Sequence, residues 1–591
     1  MQDPPQIQEY LSRGYREKYG MLWAPNPDGT PLTDIQVEFA AFSANLETKA
    51  EHFWNIVSFF WGPGRSPKLF DRNPWGERMV NHLCGHKFLA IAGCASSTKT
   101  ETAAIWGIVN FLASPTKTKV LLTSTSLKDS RQRIWGTVEE YWQAACIVVG
   151  GEENMPGELV SASGMIRRKT GELRSDKQGL TLIAGDKSKA KESIGKLIGF
   201  KAGRVILIAD ELPELSESLI NAAESNLFSN PEFQMVGIGN PNSYFDPFGV
   251  FCEPLAGWNS VTEHSEEWRT VKGFCIKFDG EKSPNILAGR TIYPYMMTQE
   301  RLEEYRRKLG TNSPRYWRMV RGFFCPTGSS EGVVADRDIL AYEADRPAVW
   351  REPPVMVAGL DPAFTHEGDR CVLVTAKFGT TTAGLKTLEF QKIIELDEDA
   401  DDKTASRSEQ IVNKLVAACV ENHILPENLA IDDTGGGKSF CDVVRMLWSN
   451  KFLPVSFGGA PSTSAFSSLD PRPANEVCVN KVSEIWFAGS DYIRSNQIKG
   501  VSKDLAAELC ARLYTTKERG KVQVEPKKDM KKRTGESPDK ADAALLALAL
   551  CRLRLGMAPK ALPANAKNRR LDFGPKPYKM LARRYTRLRK F

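Results

Sequence analysis

The chain has 591 residues, 41% hydrophobic and 26% charged, with a formal net charge of +7. That length calls for two or more domains with their own cores, and the balance is that of a soluble globular protein. Its longest apolar run, Ala543 to Cys551, is far too short to span a bilayer, so no membrane partner is expected.

The twelve cysteines are scattered with no Cys-x-x-Cys pair, which argues for reduced, buried thiols rather than a disulfide framework or a zinc site. The start, Met1-Gln-Asp-Pro-Pro5, lacks the basic and apolar segments of a signal peptide, so a cytoplasmic protein is expected. Residues 1–60 read as a helical leader, with Ile35, Phe39, Phe42 and Leu46 at helical spacing.

Residues 61–330 form the first expected domain. Between Lys87 and Asn242, short β-like runs alternate with helical ones: Phe88 to Ala92, Val120 to Thr123, Thr181 to Ala184, Val205 to Ala209 and Met235 to Ile238. This predicts a mostly parallel sheet with helices on its faces, whose ligand chemistry collects at the carboxyl ends of the strands. Three loops qualify. The first is Gly93-Cys94-Ala95-Ser96-Ser97-Thr98-Lys99-Thr100, where backbone amides can cradle phosphates, Lys99 can reach the β and γ positions, and Thr100 can complete a metal shell. Thr98 stands where the usual pattern has glycine, and a β-branched residue tolerates positive φ badly. The second is Asp210-Glu211 after four aliphatics, fitting a Mg²⁺-side carboxylate and a water-activating base. The third is Gly237-Ile-Gly239-Asn240-Pro241, where Asn240 can sense the γ-phosphate. Thr123 to Ser126, followed by Arg131 to Tyr141, reads as a strand, turn and helix that either touches a DNA backbone or packs.

Residues 331–354, rich in acids and prolines, read as a linker, and 355–556 as a second domain. Asp361 ends its first strand, Asp432-Asp433 follow Leu429-Ala-Ile431, and Asp539 and Asp542 open an apolar helix on one side. Adjacent strand residues face opposite ways, so only one of Asp432 and Asp433 joins Asp361; Asp432 is chosen and Asp433 held in reserve. Carboxylates converging from separate elements repel unless metal neutralises them, which suits two Mg²⁺ or Mn²⁺ ions cleaving a phosphodiester. Asp369 reads as a turn residue or a distal neighbour of that site. Lys527, Lys528, Lys531, Lys532 and Arg533 are candidate DNA-backbone contacts, or a solvated loop. Residues 557–591 are a basic tail; from 559 on they hold eleven Lys or Arg and one acid, so the rest of the chain is slightly acidic. The tail is either a solvated terminus or an arm for DNA or an acidic protein.

In the order and spacing of these motifs, residues 60 to 555 resemble the large terminase subunit of tailed bacteriophages. The resemblance implies an α/β P-loop NTPase domain followed by an RNase H-like nuclease domain. It implies a motor that couples ATP hydrolysis to translocation of double-stranded DNA into a procapsid and cuts concatemeric DNA. Lys99 and Thr100 match the phosphate loop, Asp210 the magnesium carboxylate, Glu211 the catalytic base and Asn240 the coupling loop. Asp361, Asp432 and Asp542 match the nuclease acids, with Asp539 a possible addition. ATP with Mg²⁺, a portal protein, a small terminase subunit and a homo-oligomeric ring on the portal are implied, in host cytoplasm and transiently on the procapsid. The adenine-contacting glutamine is unassigned, Gln36 being the best early candidate. So is the arginine acting on the γ-phosphate, among Arg131, Arg133, Arg167, Arg168 and Arg204. A helicase-nuclease or transposase-like recombinase is the alternative.

Overall fold

The structure, a computed structural model, describes residues 4–560 except 125–133, 185–201, 216–219, 222–223, 225–229, 327–331, 363–369, 400, 402–403, 468–469 and 518–519. Arg131, Arg133, Asp369 and nearly all of the basic tail therefore lie outside the described residues. The chain divides into two units, Met1–Cys325 and Pro326–Phe591.

The first unit opens with a small hairpin, β1 (Arg16–Lys18) and β2 (Met21–Trp23). Its main sheet comprises β3 (Phe88–Gly93), β4 (Thr118–Ser124), β5 (Gly157–Val160), β6 (Met165–Thr170), β7 (Leu173–Ala184), β8 (Arg204–Ala209), β9 (Phe233–Gly239), β10 (Glu267–Arg269) and β11 (Phe274–Phe278), in the order β10-β11-β3-β9-β8-β4-β7-β6-β5. The six strands from β11 to β7 run parallel, and the outer three are antiparallel. Parallel strands have to be covered on both faces, which is why every residue of β3 and β4 is buried. Leu89 and Ile91 enter one core and Phe88, Ala90 and Ala92 the other.

The segment read as a leader belongs to the first core. Phe42 and Phe53 pack on Trp106 of the Lys99–Ala113 helix, with ring centroids 5.5 and 5.7 Å apart, and Trp61 donates to the Tyr141 carbonyl at 2.9 Å. These aromatics bury a face of the sheet-covering helix that would otherwise meet water.

The second unit holds a six-stranded sheet made of β12 (Val355–Asp361), β13 (Val372–Thr380), β14 (Lys386–Glu395), β15 (Leu429–Asp432), β16 (Leu453–Val455) and β17 (Ile498–Lys499), in the order β16-β15-β12-β13-β14-β17. Strands β12, β13 and β14 form an antiparallel meander, while β15 and β16 run parallel to β12. This is the RNase H-like arrangement, and both units are α/β. A separate ribbon pairs β18 (Tyr514–Thr516) with β19 (Val522–Val524). The stretch read as a linker is woven into this unit: it contains the Asp336–Ala341 helix, Val333 N–H donates to the Arg512 carbonyl, and Ala344 accepts from Val501 N–H, both at 2.9 Å. Its buried Val333, Val334 and Ile339 favour packing over a solvated path.

The Asp539–Arg554 helix lies directly on β12, and Gly359 allows it. A Cβ there would stand 2.1 Å from the Ala543 carbonyl oxygen and 2.6 Å from the Ala547 nitrogen. Both obstacles are backbone, so neither can rotate away. We expect Gly359→Ala to destabilise the second unit by about 3 kcal/mol or more, the upper range for overpacking. Hydrogen exchange should read it as lost protection along the Asp539–Arg554 helix; unchanged protection would refute the close approach.

Candidate functional site

At the carboxyl edge of the first sheet, β9 lies between β3 and β8. The Asn240 loop is thereby set between the phosphate-type loop and the Asp210-Glu211 pair. The loop after β3 is held from behind: Cys94 N–H donates to the Phe278 carbonyl and Ala95 N–H to the Met319 carbonyl, both at 2.9 Å. Ser96 and Thr98 adopt positive φ, at 60° and 62°. Thr98 thus takes the left-handed conformation that glycine usually supplies, a strained choice for a β-branched residue. Its Oγ1 is buried without a hydrogen-bond partner.

Lys99 is folded back into the loop. Its Nζ donates to the Cys94 carbonyl at 2.7 Å, to Ser97 Oγ at 2.9 Å and to the Gly93 carbonyl at 3.3 Å. Burial pushes its ammonium below the usual lysine range, while Cys94, Glu211 and Asp210 pull it back up. Thr100 Oγ1 donates to Asp210 Oδ1 at 3.0 Å, joining the helix start to the tip of β8. Two hard oxygens side by side at a helix N-terminus suit Mg²⁺ carrying phosphates.

Glu211 follows Asp210 in a left-handed conformation, φ 53°, and starts the turn Leu212–Glu214. That turn packs on β9: a Cβ at Gly239 would meet Pro213 Cδ at 2.7 Å, and one at Gly237 would meet Leu212 Cδ2 at 2.6 Å. The glycines of the third loop therefore seat the turn that carries Glu211. Asn240 Nδ2 donates to the Arg318 carbonyl at 3.4 Å, and Arg318 Nη1 donates to Asn242 Oδ1 at 3.1 Å. The strand pattern did not foresee this support from 317–322, which comes from far along the chain.

Gln36 is engaged in a capping box with Thr33 and donates to Asn26 Oδ1 at 3.1 Å. Arg204 begins β8, six residues before Asp210, which puts it about 20 Å from the acids at ~3.3 Å per strand residue. Arg167 is level with Gly179, which pairs with Lys119 near the start of β4, so Arg167 and Arg168 also sit toward the opposite end of the sheet. Within one copy, these three arginines are remote from the phosphate loop.

In the second unit, Asp361 ends β12. Leu360 pairs with Ile431, so one step further sets Asp361 beside Asp432. Ala358, Leu360, Leu429 and Ile431 face the opposite core, leaving Gly359, Asp361 and Asp432 on the face under the Asp539–Arg554 helix. Asp542 and Asp539 open that helix and are buried, as is Asp361. Asp433 turns away, its Oδ1 buried without a hydrogen-bond partner.

Lys527 stands at the centre of these acids. Its Nζ is 2.6 Å from Asp361 Oδ2, 3.0 Å from Asp542 Oδ2 and 3.9 Å from Asp539 Oδ1. Burial alone would lower this ammonium, but Asp361, Asp542 and Asp539 hold it above the usual lysine range. Burial raises Asp361 well above the carboxylate range against the pull of Lys527. Asp542, equally buried, is brought below that range by Lys527 and Arg512, and Trp486 Nε1 donates to its Oδ1 at 2.7 Å. Burial also raises Asp432, offset by hydrogen bonds from Thr434 and by the charge of Lys527. Asp539 accepts from Ser537 Oγ at 2.5 Å and from Arg370 N–H at 3.0 Å.

Among the described residues no three His, Cys, Asp or Glu side chains are already gathered as a metal cage. The donor set still fits divalent ions: hard carboxylate oxygens converge on the Lys527 ammonium, which stands in for the charge a metal would bring. Lys527, read from the sequence as a DNA contact, is an internal counter-ion here. Arg533, although exposed, is also tied to an acid, donating through Nη2 and Nε to the buried Glu525 carboxylate at 2.6 and 3.0 Å. Lys528 and Lys532, four apart on the Lys527–Thr534 helix, are exposed, and Lys531 is partly covered. Sequence reading missed Trp486, Arg512 and Arg370, whose separations from the acids carry no local pattern.

No family model and no curated protein matches the chain. Among solved structures, the large terminase of HK97 bacteriophage is similar over 88% of this chain and 99% of its own, at 12% identity and a TM-score of 0.38. The large terminase of a thermophilic bacteriophage, in complex with ADP, is similar over 87% of this chain and 98% of its own, at 12% identity and a TM-score of 0.30. The nuclease domain of the large terminase subunit gp2 of bacterial virus Sf6 is similar over 37% of this chain and 98% of its own, at 18% identity and a TM-score of 0.28.

Proposed function

We propose that this chain is a viral DNA-packaging motor of the large-terminase type, an ATPase in its first unit and a metal-dependent DNA endonuclease in its second. One observation supports this above others. A phosphate loop tied to an acidic strand tip, Thr100 to Asp210, occurs in the same chain as a carboxylate cluster on the central strand of an RNase H-like sheet. ATP hydrolysis and phosphodiester hydrolysis in one molecule suit a machine that moves DNA and cuts it.

Thr100 and Asp210 would hold Mg²⁺ with ATP, and Asp361, Asp432, Asp539 and Asp542 would hold Mg²⁺ or Mn²⁺; when bound, such ions would neutralise charge and lower the pKa of water. The rest falls to the chain's own residues. Lys99 leaves the carbonyls of Gly93 and Cys94 to meet the β and γ phosphates. Glu211 accepts a proton from the attacking water. Asn240, next to the turn that carries Glu211, passes the loss of the γ-phosphate to segment 317–322 through the Arg318 carbonyl. In the second unit Lys527 withdraws from the acids and turns its charge to the DNA phosphate. Lys528 and Lys532 grip the backbone without reading bases. Double-stranded DNA, a portal protein and a small terminase subunit are the partners in this reading, with a homo-oligomeric ring on the procapsid in the host cytoplasm. The structure of the thermophilic phage protein with ADP and that of an Sf6 nuclease domain with manganese name the same ligand classes. ATP-dependent uptake of DNA into portal-bearing capsids tests the reading as a whole. A helicase-nuclease or recombinase would hydrolyse ATP on DNA without filling capsids.

Three results are expected of variants. Glu211→Ala should reduce ATP turnover at least about a hundredfold, as for loss of a general base, and leave Mn²⁺-dependent plasmid nicking intact. Asp361→Ala should do the reverse, losing nicking while DNA-stimulated phosphate release persists. Replacing Lys528 and Lys532 together by alanine should weaken DNA binding equally for all sequences and flatten the log–log salt dependence by about 2, near 0.9 per lost phosphate contact. An unchanged slope would remove both lysines from the DNA path.

A further inference from the structure

Ser124 ends β4 and is completely buried, yet its Oγ has no hydrogen-bond partner. A buried, unpaired hydroxyl opposes folding, so its presence beside a site of chemistry calls for a use. The strand registers say where it points. Val120 and Leu122 of β4 and Ile206 and Ile208 of β8 enter the core under the Lys99–Ala113 helix, whereas Leu121 and Leu207 enter the other core. A Cβ at Gly107 of that helix would touch Val120 at 3.1 Å and Ile208 at 3.4 Å. Counting on by two, Ser124 and Asp210 emerge on the same face. Thr123 pairs with Ala209 and accepts from Asp210 N–H at 2.9 Å, so Ser124 and Asp210 are neighbours across adjacent parallel strands, roughly 4.8 Å apart in backbone. Thr100 Oγ1 reaches Asp210 on this same face.

We propose that Ser124 is a positioning residue of the phosphate-cleaving centre, its hydroxyl holding a water of the bound metal-nucleotide beside Asp210. This rests on the ATPase reading above. The hydroxyl is both donor and acceptor, so it can fix a water whose other partners are Asp210 and a phosphate oxygen. A carboxylate in its place would add repulsion against the phosphates, and an alanine would leave that water mobile.

The test is Ser124→Ala in the full chain, followed by thermal unfolding with and without ADP and Mg²⁺, and by steady-state ATP turnover. Without ligand, the variant should melt at or above the wild-type midpoint, because an unpaired hydroxyl has been removed. With ADP, the Mg²⁺ concentration for half-maximal stabilisation should rise about tenfold, and kcat should fall about tenfold with a smaller change in KM, the scale of one well-ordered water. A lower midpoint without ligand, together with an unshifted Mg²⁺ requirement, would make Ser124 a packing residue and overturn the proposal. A wild-type chain that neither hydrolyses ATP nor is stabilised by ADP and Mg²⁺ would instead overturn the ATPase reading beneath it.

Discussion

Buried negative charge that must be met by positive charge organises this protein more than any other constraint. In the second unit three carboxylates from a strand end and a helix start are packed together out of water, and mutual repulsion would drive them apart without a cation among them. The Lys527 ammonium answers that need, with Arg512 and Trp486 behind Asp542 and Arg370 behind Asp539. In the proposed nuclease, whatever displaces the lysine has to bring at least its charge. The loop after β3 shows the complementary case: Lys99 is a buried cation held by its own loop's carbonyl and hydroxyl oxygens, and in the proposed ATPase the nucleotide phosphates would take their place.

Both arrangements depend on close approach of backbones. Gly359 brings the Asp539–Arg554 helix down onto β12, which gathers acids separated by some 180 residues of sequence. Gly237 and Gly239 do the same for the turn bearing Glu211. Three of the eight non-glycine residues at positive φ among the described residues, Ser96, Thr98 and Glu211, lie in these loops. Non-glycine residues persist in that region only where the surroundings over-determine them, as at ligand-binding loops. At Thr98 the geometry usually written with glycine is kept by a threonine, so the departure from pattern is one of composition and not of backbone path.

Periodicity and strand-end chemistry made much of this readable. Short apolar runs such as Val205 to Ala209 fit buried parallel strands, and a ligand loop at the carboxyl end of such a strand follows from the way parallel sheets are wound. The same alternation separates Asp432 from Asp433. Less legible were segments whose roles depend on partners far away. Residues 331–354 look like a solvated linker by composition, but Val333, Val334 and Ile339 find a surface on the second unit. The first sixty residues look like an accessory leader until Phe42 and Phe53 meet Trp106.

The sequence by itself determined the two sheet-bearing halves, the phosphate-type loop, the acidic strand tips and the helix that opens on Asp539 and Asp542. All of these are local, written in hydrophobic period and in residues a few positions apart. Only the tertiary structure decided that Lys527 belongs among the acids and not on the surface, that Gln36 caps its own helix, that Arg167, Arg168 and Arg204 lie away from the phosphate loop, and that Ser124 stands beside Asp210. Each of these is a matter of which strand neighbours which and which face a side chain takes. That information lies in sheet order and register, set by the packing of the whole core, and no short window of sequence contains it.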